Sequence, residues 1–410
     1  MILRITDGTT TYTLHNDTGS TSAGIGGATY FPTEGDGETA RDTIEVVFSG
    51  TPDNLISTFN NLSRMITRAS QGPTGIAPVW IEYQLRDSGI HALIWRSPIE
   101  SAVISWSSDR TLRNMSTTEA FGEATITLTR ADYWEGAEVT ITSNGLKNGM
   151  ASPYNVAFHT TVDGNLPTPI KVRITNTSGA LSSRNIYLYA DIFASLSTDQ
   201  HFVLSNQSSS WVSSSAHTAL RWLMTIPNAV VAKLAGQNVN VMAAFSTLSP
   251  DIYLRAGLWA DVDTTVFAAY EPVSLGGEKF ISDRKLVNLG TVQVPKTITG
   301  NLFIVVTANS QVSGSGAMLW VQLSPAEGGV HLRVGDWANN DAIVYDGPNK
   351  AAYYETGGLK FATVYPSGGP LLMWPATWNR LHVLFDETTG ITLTRTFNVA
   401  ITVRPRRRTV

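Results

Sequence analysis

Residues 129–136, TRADYWEG, place two acidic side chains, two aromatic rings and a glycine directly after a strand-like run. A pair of carboxylates can hydrolyse a glycosidic bond, and aromatic rings stack on sugar faces. Asp132 and Glu135 lie only three positions apart in a loop-like segment, and this spacing fixes no distance between their carboxylates. We therefore predict no catalytic residue here and interpret the segment as the boundary between two domains.

The residue types that other chemistries need are absent or dispersed. The sequence contains no cysteine, which excludes disulfides, thiolate metal sites and cysteine nucleophiles. It lacks the G-x-S-x-G turn of hydrolases and the glycine-rich loops that bind phosphates. The seven histidines are scattered, and the acidic fragments at 35–38 and 261–263 do not continue into a calcium loop. We expect no enzyme activity, no cofactor and no metal site.

The charge of the chain changes near the same segment. Residues 1–144 contain nine arginines, no lysine and 17 acidic residues, a net charge of −8, whereas the remainder carries +4. A change in composition of this kind indicates a domain boundary. Four of the later positive charges belong to the terminal RPRRR at 404–408, which is typical of a solvated tail. We predict a first domain over 1–136, a linker over 137–165 and a second domain over 166–410.

The sequence shows neither a signal peptide nor a membrane-spanning helix. The N-terminus lacks the basic start and apolar centre of a signal peptide. No apolar stretch approaches the roughly 18 residues that a spanning helix needs. We expect a protein that has no membrane span and is not exported by the general route.

Alternating apolar residues predict that the first domain is mainly β. Residues 15–41 are rich in Gly, Ser and Thr and are far longer than a typical connection, so we expect a loop that a partner orders, or a disordered one. A turn at Asp7-Gly8 predicts an opening hairpin. Further strands are predicted at 43–48, 78–85, 90–96, 98–106 and 123–129.

One amphipathic helix is predicted after the strand at 43–48. Thr51 can cap it, Pro52 suits its first turn, and Gly72 can end it. Apolar residues recur with the 3, 4 spacing of a single helix face, which we expect to pack against the sheet of the same domain. These residues are Leu55, Ile56, Phe59, Leu62, Met65, Ile66 and Ala69.

The second domain is predicted to be a β-sandwich of the jelly-roll or galectin-like type. From residue 166 onward, short apolar strands are separated by turns rich in Ser, Gly and Pro. Trp337, Trp374 and Trp378 lie in turn-rich sequence, where an aromatic ring can meet a glycan or a protein partner. Trp259 and Trp320 lie inside strand patterns, where we expect them to be buried.

The order of elements in residues 1–136 resembles the N-terminal domain of tailed-bacteriophage distal tail (baseplate hub) proteins and the related tail-tube proteins. The segments that carry this resemblance are MILRITDGTTTYTL, TIEVVF, DNLISTFNNLSRMITRA, VWIEYQL and ATITLTRADYWEG. Distal tail proteins often append a galectin-like or jelly-roll β-sandwich, which is similar to what residues 166–410 predict here. The expected fold is therefore a tail-tube-like split barrel with one helix, followed by a β-sandwich.

The resemblance implies a structural protein of the virion, present in the host cytoplasm during assembly. Such N-terminal domains form a homo-oligomeric ring, commonly a hexamer, that continues the tail tube and contacts other tail proteins of the tube, tip or hub. DNA would pass through the lumen without specific binding, and a lysine-free acidic domain suits that conduit because fixed cations would retain a polyanion. Tyr133, Trp134, Tyr30 and Phe31 are the expected contacts between subunits or at the domain boundary.

Two functions of other classes stay open at this point. The β-sandwich could be a carbohydrate-binding module, which would make the chain an adsorption protein that binds host-surface glycans. A jelly roll can also carry a glycoside hydrolase or lyase site, for which no catalytic pair is apparent in the sequence.

Overall fold

A computed structural model describes most of the chain. The described residues are 1–69, 78–85, 93–107, 119–147, 155–159, 164–177, 181–193, 203–205, 210–213, 219–248, 252–261, 278–280, 286–297, 300–310, 314–326, 329–375, 378–387 and 396–408.

The predicted fold class is confirmed, because the chain is mainly β and forms several sheets of the sandwich class. Residues 1–147 contain β1 (Ile2–Thr6), β2 (Thr11–Asn16), β3 (Ile25–Phe31), β4 (Thr39–Gly50), α1 (Pro52–Ala69), β5 (Trp80–Gln84), β6 (Trp95–Trp106), β7 (Ala120–Ala131), β8 (Trp134–Glu135) and β9 (Val139–Lys147).

The middle of the chain continues with short strands and one short helix. These are β10 (Asn155–His159), β11 (Thr168–Asn176), β12 (Leu181–Phe193), β13 (Val203–Ser205), β14 (Ser210–Ser213), β15 (Ala219–Ile226), α2 (Asn228–Leu234), β16 (Asn238–Leu248), β17 (Ile252–Asp261), β18 (Glu278–Phe280), β19 (Leu286–Gln293), β20 (Asn301–Ser310) and β21 (Gly314–Pro325).

The last part of the chain is also made of strands. These are β22 (Gly329–Arg333), β23 (Asp336–Trp337), β24 (Ala342–Asp346), β25 (Ala351–Thr356), β26 (Leu359–Val364), β27 (Pro366–Gly368), β28 (Leu372–Met373), β29 (Trp378–Glu387), β30 (Thr396–Val403) and β31 (Arg406–Arg407). No helix among the described residues is long and apolar enough to cross a membrane.

The chain divides into two compact units. Unit 1 comprises Met1–Val139, Val162–Leu166 and Arg404–Val410, and unit 2 comprises Thr140–Thr161 and Pro167–Val403. This division differs from the boundaries predicted from sequence in two places. The segment at 137–165, predicted as a linker, contains β9 and β10, and the final arginines, predicted as a solvated tail of the second domain, belong to unit 1.

Unit 1 is one strongly curved sheet with a helix against it. The strands run in the order β2-β1-β5-β6-β7-β4-β3, and β8 joins β6 on one side and β31 on the other. The two ends of the sheet, β2 and β3, lie beside each other, so the sheet is nearly closed into a barrel. Alternate residues along its strands face inward and form its core, in which Leu3, Ile44 and Ile126 are fully buried.

The predicted helix is present as α1. The Thr51 hydroxyl accepts a hydrogen bond from the Asn54 amide at 3.4 Å, which confirms the cap. The predicted apolar face is confirmed at Leu55, Leu62, Met65 and Ile66, which are buried. The prediction is wrong at Ile56, which is 43% exposed because it lies at the rim of the face.

The expectation of a long loop over 15–41 is wrong. This segment contains β3, which pairs along β4 from Ile25↔Phe48 to Phe31↔Thr43. A shift in the pairing occurs between Ile25 and Gly27, which adopts a positive φ of 155°. The two glycines obscured the strand, because they interrupt the alternating pattern at a β-bulge.

The strands predicted at 90–96 and 98–106 also differ from the structure. Over the described residues, both belong to β6, a continuous strand of 12 residues. Pro98 lies opposite Trp80 on β5, and after Pro98 the strand turns to pair with β7 from Ile99 onward. The proline therefore stands where β6 changes partners, a position that tolerates the loss of a strand hydrogen bond.

Among the residues that the structure describes, the strands of unit 2 form four sheets. Two of the sheets are formed by strands from the first and last parts of the sequence of unit 2. They are a six-stranded sheet (β10-β29-β12-β22-β27, with β23 on β12) and a seven-stranded sheet (β26-β25-β24-β11-β30-β9, with β28 on β11). The middle part of the sequence forms a five-stranded sheet (β13-β21-β16-β19, with β14 on β21) and a four-stranded sheet (β15-β20-β17-β18). The last two share one apolar core, to which α2 contributes Val230 and Leu234.

The connectivity is therefore doubly nested. The segment 203–326 forms a sandwich inserted between β12 and β22, which are paired neighbours in one sheet. The whole of unit 2 is inserted between β8 and β31, which are paired neighbours in unit 1. Insertions whose two ends meet at adjacent strands are tolerated because they leave the host fold intact.

Candidate assembly site

The segment at 129–136 is organised around a buried ion pair. Arg130 on β7 and Asp42 on β4 are 2% and 0% exposed, and the Arg130 Nε donates to Asp42 Oδ2 at 2.6 Å. The Tyr30 hydroxyl donates to the same oxygen, and the Thr33 amide donates to Asp42 Oδ1 at 2.8 Å. Burial, and then the charge of Asp42, raises the pKa of Tyr30 well above its usual value. The carboxylate is thus held by three residues.

The remaining donors of Arg130 hold main-chain carbonyls. Nη1 donates to the Ala131 carbonyl at 2.9 Å and Nη2 to the Thr33 carbonyl at 3.1 Å. The guanidinium carbon lies 4.5 Å from the ring centroid of Trp134, at a distance typical of a cation–π contact. This arginine therefore joins the end of β7 to the segment that follows β3.

Asp132 fixes the same segment, residues 32–38, from its other end. Its two carboxylate oxygens accept the amides of Gly35 and Gly37 at 3.0 and 2.9 Å. A Cβ at Gly35 would lie 2.3 Å from this carboxylate, and Gly37 has a φ of +105°, so both positions favour glycine. The Asp132 amide in turn donates to the Glu38 carbonyl at 3.0 Å. The fragment at 35–38 is consequently a clamped turn.

Glu135 is held by the C-terminal end of the chain. Its Oε1 accepts both Nε and Nη2 of Arg406, at 3.1 and 2.8 Å. The Arg406 guanidinium also lies 3.8 Å from the ring centroid of Tyr133, whose pKa is raised by burial despite this positive charge. β31 pairs with β8, and the Gly136 amide donates to the Pro405 carbonyl at 2.8 Å. We call this arrangement of residues 404–408 the C-terminal clasp.

Both carboxylates of the segment are therefore occupied by protein donors and are almost completely buried, at 5% for Asp132 and 7% for Glu135. Burial and saturation with hydrogen bonds suit a structural role, because a catalytic carboxyl must reach its substrate. The interpretation of this segment as a domain boundary stays a prediction. Unit 1 continues to Val139, and unit 2 begins at Thr140, four residues after Gly136.

Three of the four predicted interface aromatics are used inside unit 1. Trp134 is 1% exposed, Tyr30 is bonded to Asp42, and Tyr133 lies under Arg406. Phe31, at the end of β3, is 48% exposed. Of the four, it alone offers a large apolar surface to another subunit, so its role as an intersubunit contact stays a prediction.

The strands β3, β4, β7 and β6 present one broad face that does not contribute to the core. We call it the hydroxyl face, because most of its residues are Thr or Ser. One row across the four strands is Phe31, Thr43, Thr127 and Val103, in which each residue is paired with the next. The full face comprises Thr29, Phe31, Arg41, Thr43, Glu45, Val47, Ser49, Ser101, Val103, Ser105, Phe121, Glu123, Thr125, Thr127 and Thr129.

The hydroxyl face carries two acids and a single cation. Glu45 and Glu123 line an open depression of about 790 Å³ together with Ser107, Thr125 and the start of β3. Arg41 is its one positively charged residue. The clasp arginines and Asp163 bring the net charge of unit 1 from −8 to −5, so the unit stays acidic and contains no lysine.

The three tryptophans proposed for glycan contact are not brought together by any described contact. Trp374 is 46% exposed, and its main chain is fixed by Asn379, whose side-chain amide bonds both the Trp374 amide and carbonyl at 2.9 Å. Trp337 lies on β23 and Trp378 at the start of β29, and their side chains lie outside the described part of the structure. Glycan contact stays a prediction. Trp320, expected in the core, is 2% exposed.

Comparison with known proteins adds no family. No family model matches the sequence, and no curated protein matches it. A structure of infectious bursal disease virus, Gt strain, aligns with 65% of this chain and 78% of its own at 8% identity, with a TM-score of 0.18. The VP2 subviral particle of the same virus gives the same identity and TM-score over 79% of its chain. Similarity at this level carries no argument about fold or function.

The resemblance to phage tail proteins therefore rests on the sequence segments alone. Sequence reasoning located the segment 129–136 but missed the partners that explain it. Arg130 carried no signal beyond being a charged residue at a core-facing position of an alternating strand, which is a recognisable sign of a buried ion pair. Arg406 carried none, because its partner lies 271 positions away.

Proposed function

We propose that this chain is a structural protein of a virion, of the phage distal-tail type, that forms a ring through unit 1 and carries unit 2 as a peripheral β-sandwich domain. The ring would continue a tail tube and contact other tail proteins. The protein would be part of the virion, and of the host cytoplasm during assembly.

The hydroxyl face is the observation that carries this proposal. A wide sheet surface of neutral hydroxyl groups, with Glu45 and Glu123 and only Arg41 as a cation, suits the wall of a channel for DNA. Cationic side chains would bind phosphates and release counterions, which is the main source of non-specific affinity for DNA. A wall without them lets the polyanion pass.

Phe31 supports assembly of unit 1 with further copies. It ends β3, it is 48% exposed, and the residues that follow it are fixed by Asp42, Arg130 and Asp132. A rigid exposed aromatic residue is a favourable interface anchor, because little conformational entropy is lost when a partner covers it.

Native mass spectrometry and negative-stain imaging of the purified chain test the ring. We expect closed rings of one size for the parent chain and predominantly monomers for Phe31→Glu. Ile56→Glu is the matched control, since Ile56 has similar exposure on α1 and should leave the rings intact. If the parent chain never forms rings, alone or on isolated phage tails, the proposed function is wrong.

A glycan-binding adsorption protein is the alternative, and the exposed ring of Trp374 favours it. Binding of monomeric protein to a glycan array, lost in Trp374→Ala, would support this alternative. Both functions would hold together if rings bind the array through unit 2.

A further inference from the structure

A pocket of about 230 Å³ lies inside unit 2, where the inserted sandwich meets the six-stranded sheet. One wall is formed by β12, β22 and β27 of the six-stranded sheet, and the other by β16 and β21 of the five-stranded sheet. Ser367 and Gly368 on β27 are exposed, whereas Met242 and Ser324 are buried, so the pocket leads inward from β27. One water molecule occupies about 30 Å³ of the liquid, and the pocket therefore has room for a small ligand.

The wall formed by the six-stranded sheet is aromatic. Tyr187 on β12 and His331 on β22 are directly opposed, and their rings are stacked with 4.6 Å between the centroids. The next pair along the same face is Tyr189 and Gly329. Glycine has no side chain, and a Cβ at Gly329 would meet the Leu188 carbonyl oxygen as its nearest described atom, at 3.5 Å. The wall therefore presents aromatic rings beside an unfilled gap.

The wall formed by the five-stranded sheet is polar. Asn240 pairs with Ser324 and Met242 pairs with Gln322 in an uninterrupted register, which places these four side chains on one face of β16 and β21. The residues that alternate with them belong to the core of the inserted sandwich. Asn240, Met242 and Ser324 line the pocket, so Gln322 lies on the face that the pocket adjoins.

The side chain of Gln322 lacks the hydrogen bonds that a buried amide needs. It is 0% exposed, and neither its amide nitrogen nor its amide oxygen has a hydrogen-bond partner among the described residues. An unbonded buried amide is unfavourable, and such groups in native proteins are bonded to ordered water or to a ligand. The inner end of the pocket therefore requires a polar molecule.

The chemistry of the pocket selects the class of that molecule. No described residue of the lining is an acid, a lysine or an arginine, which favours a neutral ligand. Its hydroxyl groups and side-chain amides can each donate and accept hydrogen bonds, as the hydroxyl groups of a sugar also do. These groups belong to Tyr187, Asn240, Gln322, Ser324 and Ser367. The aromatic wall adds the apolar surface on which the C–H groups of a sugar ring pack.

We propose that this pocket binds a single residue of a neutral sugar. The ring occupies the gap at Gly329 beside Tyr189, and its hydroxyl groups bond the amides of Asn240 and Gln322. The volume is smaller than the about 300–1,000 Å³ that drug-sized ligands occupy, which favours one sugar ring over a longer chain. The site is separate from the exposed ring of Trp374 and uses none of the residues of unit 1.

Titration of the whole chain with free glucose, galactose, mannose and N-acetylglucosamine, followed by ligand-observed NMR, tests the site. A ligand of this size binds weakly, so we expect a dissociation constant on the order of 1 mM for at least one of these sugars. Glucuronate should bind at least tenfold more weakly than glucose, because its carboxylate would lose its water without gaining a charged partner.

Gly329→Val places a side chain in the gap and should weaken sugar binding at least tenfold. Gly335→Val is the matched control, because Gly335 lies outside the pocket and its new Cβ would meet only the Tyr354 hydroxyl, at 3.7 Å. Neither glycine has a positive φ, so both variants should fold, which thermal melts would check.

Gln322→Leu separates a binding role from a structural one. It removes the unbonded amide, so sugar binding should weaken at least tenfold while the melting temperature stays equal or rises. The proposal would be overturned if none of the four sugars bound the parent chain, or if Gly329→Val and Gln322→Leu bound sugar as the parent does. Loss of binding in Trp374→Ala alone would also overturn it and would support the alternative site at that ring. None of these results would affect the proposed ring of unit 1, which native mass spectrometry tests separately.

Discussion

The ion pair between Arg130 and Asp42 makes a quantitative prediction about unit 1. Both side chains are at least 98% buried, and removal of one partner from such a pair costs about 3–5 kcal/mol because it leaves an uncompensated charge. Substitution of Arg130 and substitution of Asp42 should lower the free energy of unfolding by different amounts. Arg130→Met leaves a carboxylate that still accepts from Tyr30 and Thr33, so we expect the lower end of this range.

Asp42→Asn should cost more, toward about 5 kcal/mol. Its amide nitrogen would meet donors from Tyr30 or Arg130, and the guanidinium would keep only the carbonyls of Ala131 and Thr33. The double variant removes both charges and should cost less than the sum of the single variants, by about 1–3 kcal/mol, as expected for residues in direct contact.

Hydrogen exchange followed by mass spectrometry is the suitable assay, because a chain with two units does not unfold in one step. Peptides covering 30–45 report on the ion pair, and peptides covering β11 in unit 2 serve as an internal control. Costs below about 1 kcal/mol for both single variants, or strict additivity in the double variant, would refute the reasoning.

Three further predictions concern unit 1. Phe59→Ala should destabilise unit 1 by about 3 kcal/mol, because the Phe59 ring stacks on the Trp106 ring with 4.2 Å between the centroids. Ile56→Ala removes an exposed side chain and should change the melting temperature little in the same thermal melts. Glu45→Lys should create salt-dependent DNA binding in a filter assay. Asp53→Lys, which makes the same change of two charges at an exposed position of α1, should bind less if the hydroxyl face is the DNA-facing surface. A hydrogen bond from the Thr10 amide lowers the pKa of Asp7 below 3.8, so Asp7 stabilises the folded state above that pH and the contribution is lost as pH falls through the lowered value. Asp7→Asn should therefore lower the unfolding free energy at pH 7 and flatten its decline in acid titrations.

The parts of unit 1 that sequence could predict are those encoded locally. The 3, 4 spacing and the Thr51 cap specify α1, and strict alternation specifies β4 and β7, because helix and strand periodicity need only neighbouring residues. β3 escaped prediction because its bulge requires glycine and glycine erases alternation. The partial exposure of Ile56 depends on the width of the sheet beneath it, which no local pattern contains.

The pairing of distant segments could not be predicted. The strands of unit 2 were recognisable one by one, but the pairing of β12 with both β22 and β29 joins residues at least 140 positions apart. A local pattern identifies a strand and the face it buries, and says nothing about which strand lies beside it. The nested order of the sheets is therefore a property of the whole chain.

The contacts of Arg406 in the C-terminal clasp lead to one further prediction about the stability of unit 1. Arg406 donates two hydrogen bonds to a nearly buried carboxylate and stacks on Tyr133, and hydrogen bonds to charged groups contribute about 1.5–3 kcal/mol. Arg406→Ala should therefore destabilise unit 1 by about 2–3 kcal/mol. Arg408→Ala is the matched control, because Arg408 is exposed and its described hydrogen bond uses only the main-chain amide.

The consequence of the clasp is that unit 1 is completed by residues that are synthesised after the whole of unit 2. Domains generally fold during synthesis, beginning from the N-terminus. Here β8 cannot pair with β31 until all of unit 2 has been synthesised. A chain that ends at residue 403 should therefore fold unit 2 normally, while peptides covering 130–136 exchange hydrogen faster than in the parent chain. Supplying the missing residues 404–410 as a peptide should restore part of that protection, and the same peptide with Arg406→Ala should restore less. If residues 130–136 were fully protected from hydrogen exchange in the truncated chain, the clasp would not be needed to stabilise unit 1 and the prediction would be wrong.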